Sequence, residues 1–386
     1  MKKMIAEKSK PSKEEPPVDG RLVCVQDFAT AAAARLPLMA LDYYRSGATS
    51  QVTLIENRRA MRRWYILPRL LRDVSTRSLG TSVFGHSLQL PIAIAPTALQ
   101  KMAHPLGECA SASAAGRHGT VFTLSTIATS SIEEVARSAP NAIKFFQLYI
   151  YRDRSLTEKL VERAKAAGFK AIVLTVDAAT FGIRRADIRN NFNLPPHLKL
   201  ANFESTSDEG TLGDRGTGNS GINEYVKDNF DAGITWQDLK WLINVTTLPV
   251  VVKGILTSAD ASLALQAGVA AVWVSNHGAR QVDGVPPTIE ALPHVVAEVN
   301  GRCPVFVDGG FTDGSDIFKA LALGASLVFI GRPVLWGLAC AGEQGVYQVI
   351  EILKRELDNV MTNSGCRTLS DITRDMVVRR DQFSKL

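Results

Sequence analysis

No apolar run in the 386-residue sequence approaches the ~18 residues that cross a bilayer as a helix. A helical membrane span is therefore not expected, and residues 1–20 hold no apolar core of a secretory leader. Charged and proline-rich, they read as a disordered extension, with one domain over 21–386. Cysteine is scarce. The five, Cys24, Cys109, Cys303, Cys340 and Cys366, are odd in number and lack the paired spacing of a metal site, so reduced thiols, an intracellular setting and no metal are expected. No aromatic-interleaved basic stripe accompanies the net charge of +6. A nucleic-acid partner is not expected, and the densest basic group, Arg58, Arg59, Arg62 and Arg63, reads as a solvated helix face or core-edge pairing. There is also no GxGxxG after the first apolar run, which argues against a dinucleotide-binding half.

What is present is a repeat of short apolar runs. Eight of them, at 91–95, 120–124, 143–148, 171–176, 249–252, 271–274, 304–307 and 326–330, alternate with segments of helical spacing. Helices are expected at 107–117, 131–137, 156–167, 235–245, 259–267, 288–296 and 315–323, with a last one at 346–361. Runs apolar on both faces suit a parallel sheet covered on both sides, and eight alternations close into a (β/α)8 TIM barrel. An N-terminal helical segment precedes the first run and closes part of the site or the barrel's bottom. The spacing breaks once, after the fourth run. There a polar, glycine-rich stretch at 204–222 predicts a long mobile lid insertion, about 197–232.

Barrel strands present their C-terminal ends to the active site. Those ends carry Pro96-Thr97-Ala98, Ser125-Thr126, Gln147-Leu148-Tyr149, Thr175-Val176-Asp177, Lys253-Gly254, Ser275-Asn276-His277 with Arg280, Asp308-Gly309-Gly310 and Gly331-Arg332. Taken singly, Thr175 caps a turn, Lys253 is solvated and Gly309-Gly310 turns the chain. Converging on one mouth, they give a base (His277), a carboxylate to orient it (Asp177), fixed cations (Lys253, Arg184, Arg280) and hydroxyls (Tyr149, Thr175), an anion site beside a base. The last two loops stand where barrels bind phosphate through backbone N–H groups and a helix N-terminus, so a phosphate-bearing ligand is predicted.

Tyr43-Tyr44-Arg45-Ser46-Gly47-Ala48, Ile94-Ala95-Pro96-Thr97-Ala98, Met102-Ala103-His104-Pro105, Phe146-Gln147-Leu148-Tyr149, Leu174-Thr175-Val176-Asp177 and the stretch from Ser275 to Asp283, SNHGARQVD, carry a resemblance. From about Val23 onward the chain resembles the FMN-dependent L-α-hydroxy-acid oxidases, close to peroxisomal glycolate and 2-hydroxyacid oxidases. The resemblance implies oxidation of an L-2-hydroxy acid to the 2-oxo acid, with O2 reduced to H2O2, and a homotetramer. It makes His277 the base and Asp177 the stabiliser of its protonated form. Arg184 and Arg280 would bind the substrate carboxylate, with Tyr43 and Tyr149 hydrogen-bonding its carboxylate and hydroxyl. Pro96, Thr97 and Ala98 would approach the flavin ring, Ser125, Gln147 and Thr175 would bond it, and Lys253 would stabilise its reduced form. Ser275, Asp308, Gly309, Gly310, Phe311, Thr312, Gly331 and Arg332 would hold the ribityl chain and phosphate.

Two positions depart from that pattern. Where the family usually has an arginine stands Thr312, followed by Asp313, which predicts weaker FMN retention and leaves a non-catalytic barrel as an alternative. Where short-chain glycolate oxidases commonly carry a bulky aromatic stands Ile127, which predicts medium-chain, long-chain or aryl substrates, a glycolate-preferring oxidase being the alternative. A dehydrogenase passing electrons to a quinone or cytochrome finds no haem domain or membrane segment to support it. Ser384-Lys385-Leu386 has the form of a peroxisomal address read by an import receptor.

Overall fold

The computed structural model describes residues 22–203 and 221–385. The expected extension over 1–20, the polar middle of the expected lid and Leu386 lie outside the described residues. Eight parallel strands, Ile92–Ile94, Val121–Leu124, Ile143–Leu148, Ala171–Thr175, Val250–Ile255, Ala271–Val274, Val305–Val307 and Leu327–Ile330, close into a barrel. Closure is made where the last strand pairs with the first, Val328 with Ile92 and Ile330 with Ile94.

Strand periodicity divides each run into two sets. Ala93, Phe145, Ala171, Val173, Val251, Ala271, Trp273, Phe306, Leu327 and Phe329 pack together as one interior cluster. Ile92, Ile94, Phe122, Leu124, Ile172, Leu174, Val272, Val274 and Val328 belong to the larger cluster under the helices. This is why the runs read as apolar on both faces. Within the interior, Trp273 and Phe329 lie 3.8 Å apart between ring centroids and Phe306 and Phe329 5.5 Å, so aromatic bulk fills the barrel. A hairpin, Thr81–Val83 with His86–Leu88, brings Phe84 to 5.7 Å from Phe145 and 6.1 Å from Phe306 and stops the lower end.

The N-terminal helices Val25–Arg35, Leu38–Arg45 and Val52–Met61 reach the opposite end. The segment before the barrel thus does both of the things expected of it, the hairpin at the bottom and the helices at the site. The final helix starts far earlier than the sequence pattern suggests, at Arg332, and runs to Asn363 with a break at Ala341 and Gly342. Pro333 at its first turn is favourable for helix initiation rather than disruptive. The described ends of the insertion are packed: Ala201–Phe203 and the helix Gly221–Asn229 frame it, and Phe230 stacks on Tyr149 at 4.5 Å.

Candidate active site

One cavity of about 340 Å3 opens at the C-terminal ends of the strands. Its wall includes Tyr43, Pro96, Thr97, Ala98, Ser125, Gln147, Tyr149, Thr175, Arg184, Lys253, His277, Arg280, Asp308, Gly309, Gly310, Phe311, Thr312, Gly331 and Arg332. Two expected site residues, Asp177 and Ser275, stand behind the wall and hold others in it.

The first held group is His277. Its Nδ1 lies 2.7 Å from Asp177 Oδ1, leaving Nε2 as the nitrogen available to a substrate proton. Desolvation pulls the imidazole below its ordinary 6.5, against the attraction of Asp177, so the ring is neutral at physiological pH. Burial pushes Asp177 up, but the attraction of His277 in its protonated form, the charge of Lys253 and the hydrogen bond from His277 outweigh it and keep the carboxyl below its ordinary 3.8. The backbone geometry is demanding: His277, Gly278 and Ala279 have φ of +57°, +61° and +63°. Gly254, at φ +116°, passes so close to Asp177 that a Cβ there would meet Asp177 Cβ at 2.7 Å. A bulge between Lys253 and Ile255 accompanies this close approach.

The second held group is Lys253. Its Nζ donates to Ser275 Oγ at 2.9 Å and lies 3.3 Å from Asp308 Oδ2, while Ser275 Oγ donates to Asp308 Oδ1 at 2.8 Å. The ammonium is thus fixed in place, with Lys253 and Asp308 both buried.

At the other side of the cavity the arginines gather. Arg280 lies 4.8 Å over the Tyr43 ring and Arg184 5.0 Å over Phe181. Arg280 also donates to the carbonyl of Tyr43. Arg184 is buried, and its Nη1 has no hydrogen-bond partner, standing 3.9 Å from Asp187. Desolvation, then the charge of Arg280, brings Arg184 down to about 10; desolvation, then Arg280 and Arg184, brings Arg332 down to about 9. An anion placed among them relieves that cost and satisfies the open donor. Burial pushes the Tyr149 phenol well up, keeping it a neutral donor.

The residues fit a flavin mononucleotide. Gln147 Nε2 donates to Thr175 Oγ1 at 3.1 Å and its Oε1 accepts from Thr126 N–H at 3.1 Å, linking three strand ends at the cavity. Gly309 and Gly310 have φ of +106° and +91° and pack against Thr288 and Asn57, making a backbone cradle with no side chains of its own.

Several residues without a role in the sequence reading complete the site. Asp283, the last residue of SNHGARQVD, accepts from the N–H groups of Ser50, Val52 and Thr53 at 3.1, 3.2 and 2.8 Å and so caps the helix Val52–Met61. Desolvation opposes it, but those backbone bonds hold its carboxyl at about 2. Gln281 binds the carbonyls of Asp177 and Thr180 at 3.1 and 2.8 Å, tying the loop after the fourth strand to the sixth. Gly47 lets YYRSGA touch the same turn, Ala48 N–H donating to Ala279 O at 2.8 Å. Phe181, Asn57 and Arg58 line the cavity.

Comparison with known proteins agrees with this geometry. A glycolate oxidase of Oryza sativa subsp. indica is 53% identical, over 92% of this chain and 95% of its own. The Spinacia oleracea glycolate oxidase is 51% identical, with 92% and 95% covered, and human 2-hydroxyacid oxidase 1 is 48% identical, with 92% and 96% covered. Among solved structures, mandelate oxidase with (S)-4-hydroxymandelic acid superposes with a TM-score of 0.87 at 41% identity, covering 91% of this chain and 98% of that one. The FMN-dependent dehydrogenase family matches residues 32–379, and the chain belongs to it.

Proposed function

We propose that the protein is a 2-hydroxy-acid oxidase, and that the His277–Asp177 pair, facing the same cavity as Arg184 and Arg280, carries the reaction. Oxidation of R–CH(OH)–COO⁻ to R–CO–COO⁻ releases two electrons and two protons. FMN, when bound, supplies the two-electron acceptor, and O2 takes the electrons onward as H2O2. The two guanidiniums hold the carboxylate. Tyr43 and Tyr149 orient the carboxylate and hydroxyl, His277 Nε2 removes a proton at the Cα–OH centre, and Asp177 stabilises the resulting imidazolium. Tyr43 and Tyr149 are both buried at the cavity wall, which limits contact of these hydroxyls with bulk water.

The test is anaerobic. FMN-loaded protein mixed with a 2-hydroxy acid should lose its flavin absorbance and regain it in air with equimolar H2O2; unchanged absorbance refutes the reading.

The acid limb of kcat/KM should report His277. Because the neutral imidazole is the active form, activity falls as pH drops through its depressed pKa, and the limb lies below 6.5. Asp177→Asn removes an attraction that raises that pKa, so the limb should move to still lower pH while the plateau falls. A limb above 6.5 in wild type, or an upward move in the variant, contradicts the assignment.

For the substrate's side chain, the reading rests on Ile127, buried and lining the cavity, with Phe181 as a second wall. An apolar wall of this size favours medium-chain, long-chain or aryl acids over glycolate. We expect kcat/KM for 2-hydroxyoctanoate or mandelate to exceed that for glycolate by about tenfold or more, and Ile127→Trp to narrow or invert the ratio. A wild-type preference for glycolate removes the proposal.

We further propose import into peroxisomes through Ser384-Lys385-Leu386; residues 381–385 are exposed, as a receptor-read segment must be. Deleting the tripeptide should leave a fluorescent fusion in the cytosol. A homotetramer is proposed on the resemblance and is checked by light scattering.

A further inference from the structure

Arg58 leaves the helix Val52–Met61 to reach the loop after the seventh strand. Its Nη1 donates to Gly310 O at 2.8 Å and to Asp316 Oδ2 at 3.2 Å, and Nη2 lies 3.5 Å from Asp313 Oδ2. The side chain is part of the cavity wall, as are Gly310 and Thr312. Helix and loop are locked together. A Cβ on Gly310 would meet Asn57 O at 2.8 Å, and Asn57 exchanges reciprocal amide hydrogen bonds of 3.0 and 2.8 Å with Asn276.

The loop presents an electrostatic difficulty. The backbone from Gly309 to Thr312 lines the end of the cavity suited to a phosphate, and the helix Gly314–Ala322 starts just beyond it, its Gly314 N–H donating to Glu356 Oε2 at 2.8 Å. Yet the same start carries two carboxylates, Asp313 and Asp316, which repel a dianion unless neutralised. Desolvation and the neighbouring Asp313 push Asp316 up to about 6, a sign of how poorly the pair is tolerated.

Among the described residues, Arg58 ion-pairs with both acids. Arg332, also in the cavity wall, is tied down: its guanidinium donates to the carbonyls of Tyr44, Ser46 and Gly278 at 2.8, 2.9 and 3.0 Å and pairs with neither acid. Arg58 uses Nη1 for both of its hydrogen bonds, and Nη2, 3.5 Å from Asp313 Oδ2, keeps donor capacity in a fork suited to oxyanions.

We propose that Arg58 is a second cation, beside Arg332, that holds the FMN phosphate, standing in from an N-terminal helix for the one missing at Thr312 while it neutralises Asp313 and Asp316. This rests on the FMN reading above. It makes cofactor retention depend on a residue outside the barrel and keeps the loss at Thr312 from emptying the site.

The experiment titrates apoprotein with FMN and, separately, with riboflavin, which has the same ring and lacks the phosphate, following the quenching of flavin fluorescence. Arg58→Gln should weaken FMN by about tenfold or more and leave riboflavin within about twofold. Adding Thr312→Arg to that variant should restore FMN. Unchanged FMN affinity in Arg58→Gln overturns the proposal. So does an equal loss for both flavins, the result if Arg58 merely braces the loop. Asp313→Asn, an exposed change that folds whether or not Arg58→Gln does, frees Arg58 from a competitor and should tighten FMN but not riboflavin; no gain in FMN counts against the proposal. Wild-type protein that binds neither flavin refutes the FMN reading itself and this inference with it, whereas wild-type binding matched by Arg58→Gln refutes the inference alone.

Discussion

Replacing His277 with Asn should lower kcat by about 10²–10⁴-fold while FMN stays bound, because a general base of this kind contributes on that order. Asn is the informative replacement. The residue sits at φ +57°, a left-handed conformation that Asn tolerates better than most side chains, so backbone strain does not confound the result. The amide has no titratable nitrogen and leaves the Arg184 and Arg280 anion site intact, so KM should change far less than kcat. Stopped-flow measurement of anaerobic flavin bleaching reads the step directly. A loss below tenfold would place the base elsewhere.

Lys253→Met should act on stability as well as rate. Lys253 and Asp308 are buried together at 3.3 Å, and removing one member of a buried pair leaves the other uncompensated at about 3–5 kcal/mol. Ser275 still donates to Asp308, which places the expected loss toward the lower end of that range. Turnover should fall by about 10²-fold or more, since a fixed cation beside developing negative charge is worth that much. Urea unfolding of the FMN-free protein separates the two effects. Asp308→Asn should cost less stability, because the ammonium keeps Ser275 Oγ as an acceptor. A destabilisation under about 1 kcal/mol in Lys253→Met would mean that the pair is not a buried ionic one.

The barrel was legible because its strands are apolar on both faces and bounded by turn residues, a pattern that survives any tertiary context. The strand-end residues were legible for a related reason: once eight strands close, everything just past them shares one mouth. What escaped notice depends on partners far along the chain. Asp283 looked like the tail of a motif, yet it caps a helix some 230 residues earlier. Arg58 sat in a basic cluster that resembles a solvated face, and nothing local reveals that Asp313 and Asp316 lie opposite. The segment from Arg332 to Cys340 lies outside the helix expected at 346–361, although the proline at its start begins a helix well. Phe181 lines the cavity from a loop and belongs to neither a strand end nor a family motif, so no local pattern marks it.

The stitching of residues 43–58 to the turns at 276–283 and 309–316 also orders events in time. During synthesis the three N-terminal helices emerge first, but the carbonyls of Tyr44 and Ser46 wait for Arg332, and Asn57 waits for Asn276. Contacts of such sequence separation form late in folding. The chain therefore finishes its cofactor cradle only after its last barrel strand has left the ribosome, and cells starved of riboflavin should accumulate a nearly folded apoprotein whose first helices open and proteolyse before the barrel does.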